Sequence, residues 1–245
     1  MKLQSIRPST TVNGCTDCPI RPRAVCAHCN DAELVALDRI KHYKTWKAGE
    51  TIVHEGAPLD FAASVVTGCA TLSRSLEDGR RQIVGLLLPS DFIGRPGRAR
   101  SEHAIEAASD VTLCTFRRAP FEALLQESPR IASRLLAMSL DELDATREWM
   151  LLLGRKTARE KVATFLLALL RRTATGPGPY RTDLPLSREE IATFLGLTIE
   201  TVSRQLTSLR KDGVIGLDGL RTVTCADLQR LGAESGAEVA EALLP

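Results

Sequence analysis

The run Ser187-Arg188-Glu189-Glu190-Ile191-Ala192-Thr193-Phe194-Leu195-Gly196-Leu197-Thr198-Ile199-Glu200-Thr201-Val202-Ser203-Arg204 contains two helix starts and one stop. Ser187 with Glu190 has capping-box spacing, and Ile191, Ala192, Phe194 and Leu195 supply the apolar face of a first helix. Gly196-Leu197 makes a turn, after which Thr198 caps a second helix from Ile199 to Asp212, with Val202, Leu206 and Leu209 inward and Gly213 at its end. Two short helices across a tight glycine turn form a helix-turn-helix. Glu200, Ser203 and Arg204 share one face near the start of the second helix, beside Thr198, where a recognition helix meets base edges. Arg donates in bidentate fashion to guanine, Glu accepts from the cytosine amino group, and Ser serves a base or a phosphate. A solvated Glu–Arg pair, worth roughly 0.3–0.5 kcal/mol, would not need the capped turn. Arg188, Arg210 and Lys211 suit phosphates. Val214 to Leu217, Asp218-Gly219 and Leu220 to Thr224 read as a hairpin with a type I′ turn, the wing of a winged helix, so double-stranded DNA is the expected partner.

Upstream, Ala158 to Arg172 is an amphipathic helix with Val162, Phe165, Leu166 and Leu169 inward, followed by a linker at Gly176 to Pro179. From Pro129 to Leu153 a longer helix carries two apolar stripes, one to pack on its own domain and one to meet an identical helix in a homodimer. The seam is assigned to Ile131, Leu135, Met138, Ala145, Trp149 and Leu152, with Glu142 within it and Glu148 beside it. Carboxylates held near their symmetry mates repel and would make dimerisation conditional.

Between Tyr43 and Phe116 the period changes. Gly49, Gly56, Gly68 and Gly79 punctuate short apolar runs, which implies a compact β-roll or barrel. The last run, Val111 to Phe116, alternates so that Cys114 faces away from Val111 and Leu113. Short helices are expected at 30–40, behind an Asn or Asp cap, and around Pro120 to Leu125. The fold class is therefore α+β: an amino-terminal cysteine-rich segment at 1–30, a β-roll at 31–127, a dimerisation helix at 128–154 and a winged helix-turn-helix at 155–245.

With 245 residues, 44% hydrophobic and 25% charged, the chain has ordinary soluble composition and room for two modest domains. A net charge of +2 means that nucleic-acid binding needs a local patch. No apolar signal core or run of membrane-spanning length is present, so a cytoplasmic protein with no membrane partner is expected. His28, His42, His54 and His103 are scattered and form no catalytic constellation, which argues against an enzyme.

Cys15, Cys18, Cys26 and Cys29 lie in a segment rich in Pro and Arg with little apolar material to cover them. Disulfides need an oxidising compartment, so metal is the leading explanation. Zinc would take all four thiolates. An iron–sulfur cluster would also take four, one of which can come from elsewhere in the chain.

A β-roll, a long helix and a winged helix-turn-helix in that order resemble the cyclic AMP receptor protein superfamily of bacterial transcription regulators. Leu197 to Arg204 resembles the recognition helix of its FNR branch, the fumarate and nitrate reduction regulators, in which Glu, Ser and Arg at these spacings read half-sites like TTGAT. The resemblance implies an oxygen-labile [4Fe-4S] cluster on Cys15, Cys18, Cys26 and Cys114, with Cys29 left over as a substitute ligand. It further implies that the cluster holds the dimer-competent shape without oxygen, that oxygen converts it to [2Fe-2S], and that carboxylate repulsion near Glu148 then splits the dimer. RNA polymerase is the implied second partner, with Glu77-Asp78-Gly79-Arg80-Arg81 as a candidate contact. In the superfamily's nucleotide pocket an Asp-Phe-Ile-Gly run precedes a ribose-binding Glu and a phosphate-binding Arg. Here Asp91-Phe92-Ile93-Gly94 is followed by Arg95-Pro96 and later by Glu102-His103, an electrostatic mismatch, so no cyclic nucleotide is expected, although Arg98 and Arg100 offer substitute cations. The alternative is a zinc-stapled DNA-binding regulator of the same fold that senses another ligand.

Overall fold

The computed structural model describes residues 14–173, 178–236 and 244; Gly176 and Pro177 of the expected linker and the opening Met-Lys-Leu-Gln lie outside the described residues. Asn30 and Glu33 close a capping box on α1 (Asp31–Ile40). Eight short strands follow: β1 (Lys41–Trp46), β2 (Thr51–Val53), β3 (Phe61–Thr67), β4 (Ala70–Ser75), β5 (Arg81–Leu87), β6 (Phe92–Ile93), β7 (Ala104–Ala107) and β8 (Val111–Arg117). They form two four-stranded sheets, ordered β1-β8-β3-β6 and β2-β7-β4-β5, with every pairing antiparallel. Their inner faces bury Trp46, Val65, Leu87, Ile105, Val111 and Leu113 in one core. The expected alternation of β8 holds, because Cys114 and Phe116 lie instead in a second core on the outer face of the first sheet.

The short α2 (Arg118–Glu127) leads into α3 (Pro129–Arg155), which Ser128 caps through its hydroxyl. Its apolar stripes are the reverse of the expected assignment. Ile131 and Leu152 are 1% exposed and Ala145 is 8% exposed within the single chain. Leu135 and Met138 pack against the cysteine-bearing core, and Trp149 packs against the core of the DNA-reading module. These six residues therefore hold α3 to its own protomer. Glu148 is half-buried beside them and Glu142, on the adjoining turn, lines a cavity. The open stripe is Leu136, Leu140, Leu143 and Met150, at 61, 53, 44 and 68% exposure. The helix also runs through Gly154 to Arg155, one residue past the expected boundary between 154 and 155, and Lys156-Thr157 separates it from the next helix.

α4 (Ala158–Thr173) is buried along its whole middle, Lys161 to Leu170, more than the single expected stripe, since the roll covers one side and the carboxy-terminal module the other. That module comprises β9 (Tyr180–Asp183), α5 (Arg188–Leu195), α6 (Ile199–Lys211), β10 (Gly216–Asp218), β11 (Thr222–Cys225) and α7 (Leu228–Ala233), with sheet order β10-β11-β9. β9 and α7 were not anticipated. The wing pairs Asp218 with Thr222, which leaves a three-residue loop in place of the type I′ turn. Only Gly219 there has positive φ, whereas a type I′ turn needs two such residues in succession.

Gly68 joins β3 to β4 at φ +82°, and a Cβ there would sit 2.1 Å from the Asp110 carbonyl oxygen. Gly79, at φ +85° in the β4–β5 hairpin, has open space around it. Urea denaturation is expected to show Gly68→Ala costing about 3 kcal/mol, from left-handed strain plus a backbone clash, against about 1 kcal/mol for Gly79→Ala.

Candidate metal centre and nucleic-acid interface

The cysteine segment folds as consecutive turns, with Arg21 N–H on the Cys18 carbonyl at 3.1 Å and Cys29 N–H on the Cys26 carbonyl at 3.2 Å. It is less bare than its composition suggests: Ile20, Ala24 and Val25 are buried. Arg134 of α3 donates to the carbonyls of Arg23 and Ala24, the Cys15 N–H donates to Asp38 of α1 at 3.1 Å, and the Ser90 hydroxyl reaches the Ile20 carbonyl at 3.4 Å. These anchors lay the segment over the outer face of the first sheet. There Cys15, Cys29 and Cys114 are buried in one core, and Cys18 and Cys26 pack against it.

Burial pushes the Cys15 thiol up to about 11 and the Cys29 thiol up to about 12. Burial also raises Cys114, and the nearby sulfurs of Cys15, Cys18 and Cys26 raise it further. Cys29 is raised next by Cys26 and Glu33. Cys114 thus has for sulfur neighbours the three cysteines that the resemblance named with it. Among the described residues, no three Cys, His, Asp or Glu side chains stand close enough to hold a single metal ion. In a four-iron cluster each thiolate binds a different iron, so its ligands are spread more widely than those of one ion. The surroundings fit a group with hydrogen-bond-accepting sulfurs: the hydroxyls of Tyr43 and Ser64, buried in this region, have no partner.

At the other end of the chain, Ser187 and Glu190 form the expected capping box on α5, and Gly196 adopts φ +61° at its carboxy terminus. The Thr198 hydroxyl accepts the Thr201 N–H at 3.2 Å and starts α6. Thr198, Glu200, Ser203, Arg204 and Arg210 are all exposed, while Val202, Leu206 and Leu209 are buried. The Glu200 carboxylate is held below its usual range by its own amide and by the Thr198 hydroxyl, as befits an acid at a helix amino terminus. Arg188 departs from the expectation of a phosphate contact. It is half-buried, donates to the Leu220 carbonyl at 3.0 Å, and leaves Nη1 buried without a partner, so it braces the wing against α5.

Sequence reasoning missed Arg159, which positions α6 from beneath. Its guanidinium binds Asp212 at 2.7 Å, Ser208 at 2.8 Å and Glu234 at 2.6 Å, converging on the end of the reading helix. An arginine in the polar first turn of α4, next to Glu160 and Lys161, was the only trace of it. In the loop that corresponds to the nucleotide pocket, Arg98 is ion-paired with Glu102 and Arg100 donates to the Gly56 carbonyl, so both substitute cations are engaged.

A capped, exposed reading helix beside a three-stranded wing, carried on a β-roll, defines a winged-helix DNA-binding regulator rather than an enzyme. A family model described as a Crp-like helix-turn-helix domain matches residues 160–234, and one described as a cyclic nucleotide-binding domain matches residues 43–128. The chain belongs to the CRP/FNR family of transcription regulators. It is 56% identical to the transcriptional activator protein FnrL of Cereibacter sphaeroides, covering 93% of this chain and 94% of that protein. It is 39% identical to the nitrogen fixation regulation protein FixK of Bradyrhizobium diazoefficiens, over 89% of this chain and 94% of that one. The solved structure of FixK2 from Bradyrhizobium japonicum superposes with a TM-score of 0.75 at 37% identity, covering 81% of this chain and 98% of that chain. No helix among the described residues is long and apolar enough to cross a membrane.

Thiols whose ionisation is suppressed by burial make the metal-free fold sensitive to alkali. Unfolded thiols ionise near 9.0 and folded Cys15 near 11, so above pH 9 the unfolded state binds fewer protons and gains ground. Metal-free, reduced protein titrated with urea should keep a constant thiol contribution from pH 7 to 8.5 and lose stability as pH rises beyond 9. Cys15→Ala should weaken that loss.

Proposed function

We propose that the chain is an oxygen-responsive transcription activator that carries a [4Fe-4S] cluster, dimerises without oxygen and reads TTGAT-like half-sites to control anaerobic genes. The observation that carries the reading is the meeting of Cys114, from the last strand of the roll, with Cys15, Cys18 and Cys26 over one apolar core. Those four residues would hold the cluster, which supplies an oxygen-labile group that ties the amino-terminal segment to the roll. Burial favours the protonated thiols of Cys15, Cys26 and Cys114 until metal arrives, so assembly releases protons. RNA polymerase is the partner that activation requires, with the exposed hairpin at Glu77 to Arg81 as its candidate contact. Cyclic nucleotide has no part in this reading, and the protein works in the cytoplasm.

Glu200, Ser203 and Arg204 read the half-site, and Arg210 and Lys211 contact phosphates. The homodimer forms along Leu136, Leu140, Leu143 and Met150, whose spacing by fours and threes suits a parallel helix pair. Arg147 falls on the same stripe, paired with Asp144 at 2.7 Å, so charge stands close to the seam. The zinc-stapled alternative is favoured by one observation, the burial of Cys29 beside Cys26 and Cys15.

Iron, sulfide and zinc assays on anaerobically prepared protein separate the two. The cluster reading expects about four irons per chain, lost in Cys114→Ala and kept in Cys29→Ala. Zinc in place of iron, with Cys114→Ala harmless, would overturn it. For the seam, Leu143→Glu should leave the thermal transition near that of the wild type, sediment as a monomer, and bind a two-fold site at least ~10-fold more weakly, an effect of about 1.4 kcal/mol or more. Trp149→Ala should instead destabilise the fold, because it removes a stack on Phe194 within the protomer.

A further inference from the structure

Cys114 has a directly opposed residue on each neighbouring strand: Tyr43 on β1 and Ser64 on β3. Opposed residues in a sheet project from the same face, so Tyr43, Cys114 and Ser64 form one row beneath the cysteine segment. Ser64 is 2% exposed, and its neighbours on that face of β3, Ala62 and Val66, belong to the cysteine-bearing core. Tyr43 packs against the same core. Both hydroxyl oxygens are buried and neither has a hydrogen-bond partner, whereas the great majority of buried hydroxyls in folded proteins are satisfied. Two orphaned donors on either side of one cysteine call for an acceptor between them.

We propose that the hydroxyls of Tyr43 and Ser64 donate hydrogen bonds to the sulfur of the metal group held at Cys114, either its thiolate or an adjoining sulfide. The inference rests on the cluster reading above and deepens it. A protonated thiol is a weak acceptor, whereas a metal-bound thiolate or sulfide carries the negative charge that a hydroxyl seeks. Hydrogen bonds to cluster sulfur favour the more negative, reduced state, so these two residues are positioning residues that raise the potential and retard oxidation.

Tyr43→Phe and Ser64→Ala remove only the hydroxyls. The full-length wild-type and variant chains are reconstituted anaerobically with ferrous iron and sulfide. Iron and sulfide assay, redox titration and the iron–cysteine stretching bands in resonance Raman spectra are then compared, and the metal-free chains are unfolded in urea. Each loaded variant is expected to show a lower midpoint potential, a displaced iron–cysteine band and several-fold faster loss of iron to a chelator. Each metal-free variant should be at least as stable as the wild type, because an unsatisfied donor has been deleted. A purely structural role for either hydroxyl would show the opposite sign in the metal-free protein, and that result overturns the proposal. Loaded variants with the wild-type potential and band also overturn it while leaving the cluster reading intact. A wild-type chain that takes up neither iron nor sulfide overturns both.

Discussion

The burial of α4 on all sides is the constraint from which the arrangement of the parts follows. Ten consecutive residues, Lys161 to Leu170, are shielded from water. No amphipathic helix on a single neighbour achieves that. Here α6 and α7 cover one side, and Cys69, Ile83, Leu86 and Leu88 of the roll meet the same core from the other. The DNA reader is therefore continuous in packing with the roll. Polar contacts follow the apolar ones: Gln82 donates to the Phe194 carbonyl at 3.2 Å, and Arg172, at the end of α4, is ion-paired with Asp91 and donates to the Pro89 carbonyl at 3.1 Å.

The turn from Leu88 to Phe92 is one place where these two cores come within a few residues of each other along the chain. Leu88 belongs to the reader's core, and Phe92 packs against the cysteine-bearing one. Ser90 takes φ +85°, the one positive value outside glycine among the described residues. The turn tolerates this because it is held from several directions: Asp91 accepts the Leu88 N–H at 2.7 Å, the Ser90 N–H donates to Val65 at 2.9 Å, and the Ser90 hydroxyl reaches Ile20. Burial pushes Asp91 up to about 6 even though Arg172 pulls the other way. Cysteine segment, roll and reader thus contact one over-determined loop, in addition to the helix α3 that crosses all three.

Much of the candidate site was legible because it is local. Ser187 with Glu190, Thr198, Gly196 and Gly213 act through bonds to residues a few positions away, so their spacing alone places α5 and α6. The two-residue period of β8 likewise placed Cys114 on the outer face, opposite Val111 and Leu113. Arg188 was misjudged because an arginine beside a reading helix looks the same in sequence whether it points to solvent or folds onto a wing. The wing loop was misjudged because Asp218-Gly219 is compatible with either turn, and strand register decided between them.

The sequence by itself determined the order of the main parts, from roll to long helix to helix-turn-helix, the exposed reading face of α6, and the presence of four thiols ahead of the roll. Periodicity and capping are properties of neighbours in the chain, and they survive any docking. What only the tertiary structure decided is which surface covers each apolar stripe. Two stripes on α3 look equivalent in sequence, but Trp149 finds Phe194, at 3.9 Å between ring centroids, and Ile131 finds the cysteine-bearing core, so the other stripe is left exposed. Tertiary structure likewise set Tyr43 and Ser64 on either side of Cys114, because strand register joins residues that sequence separation keeps apart.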